Sequence, residues 1–292
     1  MSSGFPDPVA PTAPDPVFDP LVPHPARVYG YWLGGKDHYQ ADREAAEKVI
    51  RCCPQVVAGA RANRAFLARV VRYLAGECGI RQFIDIGPGL PAPASTHETA
   101  QAIAPRSRIV YVDNDPLVLV HARALLTSTP QGSCDYIEAD LRNPAAVLAG
   151  AGQTLDFTQP IAVLLLAVLH FVPDTDGPAA TVAALSRQLA AGSHVAISHL
   201  TGDFALGPVT AGVTAYNTLV PTAVVPRSHS EVSALLSGLP LVPPGVVPLT
   251  EWRPTIDGSC RASADMYAGL ARAPGDGHDH PPHPAVTRSL RS

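Results

Sequence analysis

The sequence predicts an α/β fold, a mostly parallel sheet with helices on both faces. Three observations lead to it. Between residues 80 and 200, strand-like runs alternate with helical ones. The run "IAVLLLAVL", 161–169, is apolar throughout, as a strand is when both faces of its sheet are covered. The stretch "QFIDIGPGLPA", 82–92, carries an apolar run into an acid and then into two glycines one residue apart, as a strand does when it opens into a ligand-binding loop.

Residues 1–25 are proline-rich and lack periodicity, so a disordered or extended tail is expected. One domain follows over 26–273, opening with a helical cap at 26–80. Within the cap, "ADREAAEKVI" at 41–50 reads as a short helix that stops before Pro54. Residues 56–77 read as a longer helix, with Val56, Ala60, Leu67, Val70, Val71 and Leu74 forming its apolar stripe and Gly76 and Gly79 its stop. Strands are expected at 82–86, 108–112, 134–138, 161–169 and 194–200, separated by helices near 95–104, 116–126, 144–148 and 179–191. Ser95 with Glu98 and Ser228 with Glu231 are capping boxes, and Asp115 before Pro116 reads as a cap. Beyond residue 200, a helix at 207–220 would cover the sheet's edge and another follows at 228–238. Two final strands are expected at 241–252 and 263–273, the prolines of the first suiting an edge position. The segment 274–292 has the histidines of a metal tract but the composition of a solvated, unstructured tail.

Composition excludes several classes. Net charge is −4 with only two lysines, Lys36 and Lys48, and the arginines are scattered, so no nucleic-acid partner is expected. The longest apolar run has nine residues, far short of the ~20 that span a bilayer. The N-terminus lacks the basic start and apolar core of a signal peptide. Five cysteines, without zinc or redox spacing, read as reduced thiols. These features together point to the cytoplasm. No histidine or cysteine pattern predicts a metal site, and no G-x-S-x-G elbow predicts a hydrolase. Nothing signals an oligomeric state.

By itself a Gly-x-Gly turn after a strand is a weak signal. The string from Gly87 to Ala92 formally matches a dinucleotide motif, but two details argue against NAD. Pro91 and Pro93 delay the helix that would receive a pyrophosphate, so it starts near Ser95. Asp85, two residues before Gly87, would repel a pyrophosphate and suits a cationic ligand carrying an ammonium and a sulfonium. Asp113 ends the next strand, 24 residues after Gly89, close to the ~20 at which an acid accepts from ribose hydroxyls. Asp140 follows the third strand, where it could accept from an adenine amine.

"FIDIGPG", "VYVDNDP", "EADLRNP" and "LLLAVLHFVPD" resemble motifs one to four of the Rossmann-like, class I S-adenosylmethionine-dependent methyltransferases. "RVYGYWLGGKDHYQADR", "RANRAFLARVVRYL" and "GIRQFIDIGPGLP" bring the resemblance closer to the high-GC bacterial S-adenosyl methyltransferase family, a domain family of unknown function. It covers about residues 26–272. The resemblance implies a seven-stranded, mostly parallel sheet with its last strand antiparallel, and S-adenosyl-L-methionine over the carboxyl ends of the first two strands. Asp85, Gly87 and Gly89 would hold the methionine part, Asp113 and Asn114 the ribose and adenine edge. Asp140 and Leu141 would flank the adenine, and the residues from Ala167 to His170 would line the site. Pro88 departs from the usual small or polar residue and removes one amide donor.

The N-terminal "YGYWLGGKDHY" forms either a lid with Lys36, Asp37 and Tyr39 facing in, or a packed arm. Asn63 and Arg64 pair with that arm or with the cofactor's carboxylate. His170 is the candidate general base, against the plainer reading of a pocket-shaping histidine. His97 and His199 fall near the same sheet edge. The function this implies is methyl transfer to a small-molecule oxygen or nitrogen acceptor. A non-catalytic S-adenosylmethionine-binding protein is the first alternative and an NAD(P)-dependent oxidoreductase the second.

Overall fold

The computed structural model describes residues 19–125, 127–254 and 264–274. Apart from 19–25 and 274, the two expected tails lie outside these, as does Cys260. Three helices lead: α1 (Pro25–Trp32), α2 (Gln40–Cys52) and α3 (Val56–Gly76). Then strands and helices alternate through β1 (Gln82–Ile86), α4 (Thr96–Ile103), β2 (Arg108–Asp113), α5 (Pro116–Leu125), β3 (Ser133–Glu138), α6 (Pro144–Ala151), β4 (Ala162–Leu166), α7 (Pro178–Ser186) and β5 (His194–Leu200). Helices α8 (Leu206–Leu219) and α9 (His229–Leu235) and strands β6 (Val247–Pro248) and β7 (Met266–Arg272) complete the order.

Among the described residues the strands form one seven-stranded sheet in the order β3-β2-β1-β4-β5-β7-β6. Strands β1 to β5 are parallel, and β7 runs antiparallel to both β5 and β6. Side chains alternate between the two faces. Ile84, Val110, Val163 and Leu165 pack with α6, α7 and α9. Phe83, Ile109, Ala162 and Leu164 pack with α3 and α4. Every residue of β1 and β4 is buried, which is why the fourth strand carries no polar alternation. A third apolar cluster, with Val28, Ala46, Val49 and Tyr216 in it, joins α1, α2 and α8.

Both capping boxes form: Ser95 Oγ accepts from Glu98 N and Ser228 Oγ from Glu231 N. Asp115 caps α5 by accepting from Leu117 N at 2.9 Å. Three expectations shift. The fourth strand stops at Leu166 rather than 169, because Ala167 takes φ 55° and the chain turns into a 3-10 turn at Leu169–Phe171. The helix expected at 179–191 ends at Ser186. The strand expected at 241–252 shrinks to Val247–Pro248, with Leu241 adding one bridge to Ala271. Its edge position holds, and Pro248, which has no N–H to give, sits where β6 has one neighbour only.

Candidate functional site

The strand order reverses direction at β1, whose neighbours are β2 and β4. At such a point the loops leaving the carboxyl ends diverge and open a crevice. Asp85, the penultimate residue of β1, is 3% exposed and accepts from Thr96 Oγ1 at 2.6 Å. Asp113, the last residue of β2, is 8% exposed and accepts from Asp115 N at 3.0 Å. Burial pushes both carboxyls up to about 6, against the Thr96 hydroxyl and Arg64 for Asp85 and the Asp115 amide for Asp113.

Between them the chain turns on glycine. Gly87 has φ 70°, and a Cβ there would lie 2.6 Å from Val168 Cγ2. The turn therefore needs glycine for its conformation and for the close approach of the segment after β4. Gly89 also takes positive φ, at 67°.

These groups face a cavity of about 530 Å³. Its lining falls into two sets. The carboxyl ends of β1 to β3 supply Asp85, Asp113, Asn114, Asp140 and Leu141 around the glycine turn. Helices α2 and α8 and the turn after β4 supply an apolar set that includes Val49, Cys53, Val209, Tyr216 and Phe171. At Gly212 of α8, a Cβ would come within 2.8 Å of Cys53 Cβ, so the two helices meet closely along this wall.

Of the residues singled out in the sequence, Asp85, Gly87, Gly89, Asp113, Asn114, Asp140, Leu141, Ala167, Asn63, Arg64 and His170 all line this cavity. Lys36 and Asp37 do not. The turn at Gly34, whose N–H bonds Tyr31 O, ends α1 and leaves both side chains exposed, with Asp37 Oδ2 3.9 Å from His121 Nδ1. The arm itself is tied down by a buried ion pair, Arg27 Nε to Asp42 Oδ2 at 2.8 Å. Asp140 is held by Arg142 at 2.5 Å, and that bond lowers its carboxyl. Arg64 donates to the carbonyls of Ala92 and Pro93, while its buried Nε has no partner. His97 lies off the cavity, its Nδ1 2.9 Å from Tyr111 Oη.

His170 is 8% exposed and its Nδ1 has no hydrogen-bond partner. Burial, with His199 and Arg227 nearby, holds its pKa well below the ordinary histidine value, so the imidazole is neutral. The turn carrying it is anchored by Arg227, which donates to Leu169 O, Val172 O and Asp174 Oδ1 at 3.1, 2.8 and 2.6 Å. Arg227 also donates to His199 Nε2 at 2.9 Å. A guanidinium only donates, so His199 is neutral with its proton on Nδ1, facing Leu200 O at 2.7 Å.

Sequence reasoning missed Thr96, Arg227 and Asp265. Thr96 follows directly on the Ser95 cap, and that position was a usable signal. Arg227 and Asp265 had none, because their partners lie far away along the chain. Among the described residues no group of three or more His, Cys, Asp or Glu side chains could hold a metal, and no helix is long and apolar enough to cross a membrane.

The sheet order, the antiparallel β7 and the glycine turn at the switch point define a Rossmann-like methyltransferase fold. The family model for S-adenosyl methyltransferase matches residues 12–274, and the chain belongs to that family. It is similar to a DUF574 family protein from Streptomyces avermitilis MA-4680, at 41% identity and TM-score 0.83 over 87% of this chain and 98% of that one. It is also similar to a candidate methyltransferase from Thermobifida fusca YX, at 36% identity and TM-score 0.78 over 87% of this chain and 96% of that one. None of the curated proteins matches the chain.

Proposed function

We propose that this protein is an S-adenosylmethionine-dependent methyltransferase acting on a small-molecule acceptor. The observation that carries the reading is the pair Asp85 and Asp113. They are buried carboxylates on neighbouring strands, facing one cavity beside a glycine turn. Burial is the largest cause that raises each, and Asp113 adds the smallest share to the rise at Asp85. Such a pair is relieved by a ligand that brings positive charge and hydroxyl donors.

The residues fit S-adenosylmethionine. The unpartnered Arg64 Nε complements a carboxylate, and Asp85 beside it complements an ammonium. Asp113 and Asn114 suit the ribose, and Leu141 gives an apolar wall for the adenine. Asp140 shares its carboxylate with Arg142, and Asn114 nearby lowers that carboxyl a little further. When bound, S-adenosylmethionine supplies a methyl group on a cationic sulfonium. The protein's task is then positioning and exclusion of water, which the α1, α2 and α8 roof performs. His170, neutral and with a free Nδ1, is the candidate to accept a proton from the acceptor.

The dinucleotide alternative fares worse. Helix α4 begins at Thr96, well past the glycines, and Asp85 sits where a pyrophosphate would need amides. The test is calorimetric titration with S-adenosylmethionine, S-adenosylhomocysteine, NAD and NADP. Micromolar binding of the two sulfur compounds alone is expected, weakened at least tenfold in Asp113→Ala. Binding of NAD or NADP instead would overturn the reading.

A further inference from the structure

The apolar set of cavity residues contains an acid that the cofactor reading does not use. Asp265 immediately precedes β7 and is 5% exposed. Its backbone carbonyl accepts from Thr201 N, which holds it beside the carboxyl end of β5. Burial disfavours its charged form and Gln55 nearby favours it, while Oδ1 is buried with no hydrogen-bond partner. Cys53 lies near it, and the residues that α8 contributes to the lining, Val209, Gly212, Val213 and Tyr216, carry no charge. Burial pushes the Cys53 thiol up to about 11, so it stays neutral.

An unpartnered carboxyl oxygen buried in the wall of an apolar space is costly to keep. The cavity's electrostatics say what kind of group that is. Carboxylates outnumber guanidiniums in the lining, and Arg142 is already paired with Asp140 and Asp176. No lysine lines it. An anionic occupant would find no free counter-charge at this end, whereas an N–H donor finds Asp265.

We propose that the apolar end of the cavity binds a small apolar amine, its nitrogen held by the Asp265 carboxylate and its carbon framework by Val49, Val209 and Tyr216. Calling that amine the methyl acceptor rests on the methyltransferase reading. The binding site itself does not.

The sequence supplies its own probe. The chain has two methionines, Met1 and Met266, and Met266 lines this end of the cavity. Protein labelled with ¹³C at the methionine methyls is titrated, with no S-adenosylmethionine added, against 2-phenylethylamine, 2-phenylethanol and 3-phenylpropanoate. These share a framework and differ in charge. The expected result is a saturable shift of the Met266 methyl signal with the amine, at least tenfold tighter than with the alcohol, and none with the carboxylate. In Asp265→Asn the amine falls to the level of the alcohol. Equal binding of amine and alcohol, preference for the carboxylate, or no Met266 shift with any of the three would overturn the proposal. So would an unchanged preference in Asp265→Asn. Should that variant fail to fold, the three-way comparison on the unaltered protein still decides. Because no cofactor is present, failure here leaves the cofactor titration standing, and failure of that titration leaves this result standing.

Discussion

Asn63 Oδ1 accepts a 2.6 Å hydrogen bond from Ser198 Oγ, across 135 positions of sequence. The same asparagine donates through Nδ2 to Tyr29 Oη at 3.1 Å, and Tyr29 passes its own proton to Ala60 O at 3.0 Å. Ser198 Oγ also accepts from Ala167 N at 2.9 Å. One buried amide thereby joins the N-terminal arm, α3, β5 and the turn after β4. Asn63→Leu keeps the branching at Cγ and leaves the Ser198 and Tyr29 hydroxyls short of a partner. Urea denaturation should show a loss of about 2–6 kcal/mol, the sum of two unsatisfied groups at ~1–3 kcal/mol each.

Asp85 gives a pH signature. Its folded-state pKa, about 6, lies above the 3.8 of the free group, so the folded chain holds the proton more tightly than the unfolded one. The stability this contributes is complete below about pH 4 and is lost as pH rises through about 6. At pH 7.5 the ionised carboxylate therefore costs up to about 3 kcal/mol. Asp85→Asn should raise the Tm of the ligand-free protein by several degrees at pH 7.5 and by nothing at pH 4, while S-adenosylmethionine affinity falls. Scanning calorimetry at the two pH values reads the difference, and an equal Tm at pH 7.5 would refute the assigned shift.

Gly87→Ala meets two obstacles. A φ of 70° costs a non-glycine residue ~1–2 kcal/mol. The new methyl would also press on Val168 Cγ2 at 2.6 Å. Destabilisation of about 2–4 kcal/mol is expected, together with weaker S-adenosylmethionine binding. Adding Val168→Ala removes the nearest carbon, so the double variant should recover part of the loss. A strictly additive double-mutant cycle would show that the contact is not felt.

Arg227→Lys tests the anchor of the turn that bears His170. Lysine keeps the charge but cannot reach Leu169 O, Val172 O and Asp174 together as the guanidinium fork does. A loss of about 1.5–3 kcal/mol is expected from the broken charged hydrogen bonds. The turn carries one wall of the cavity, so affinity for 2-phenylethylamine should fall more than affinity for S-adenosylmethionine. Equal losses for both ligands would place Arg227 in general stability instead.

Elements whose signal is local were legible in the chain. The Ser95 and Ser228 caps, the glycine turn and the acids ending the first two strands each announce themselves within a few residues. The end of β4 was not legible, because an apolar run looks the same whether its last residues continue a strand or curl into a 3-10 turn. What stops it is the hold of Ser198 on Ala167 N, supplied from the next strand. The outward placement of Lys36 and Asp37 was not legible for a related reason. Glycines mark where a chain bends but not in which direction, and the bend at Gly34 carries both residues outward.

The sequence by itself determined the parallel α/β sheet, the glycine turn after the first strand and the placing of Asp85 and Asp113 near the ends of the first two strands, because periodicity, capping and turn chemistry act over one or two turns of chain. Only the tertiary structure decided that Arg227 anchors the His170 turn, that Asn63 joins Ser198 as well as Tyr29 of the arm, and that Asp265 lines the cavity. Those pairings join segments far apart in the chain. Burial gives them their energy by removing water from groups that would otherwise be solvated, and no local pattern encodes which groups will be buried together.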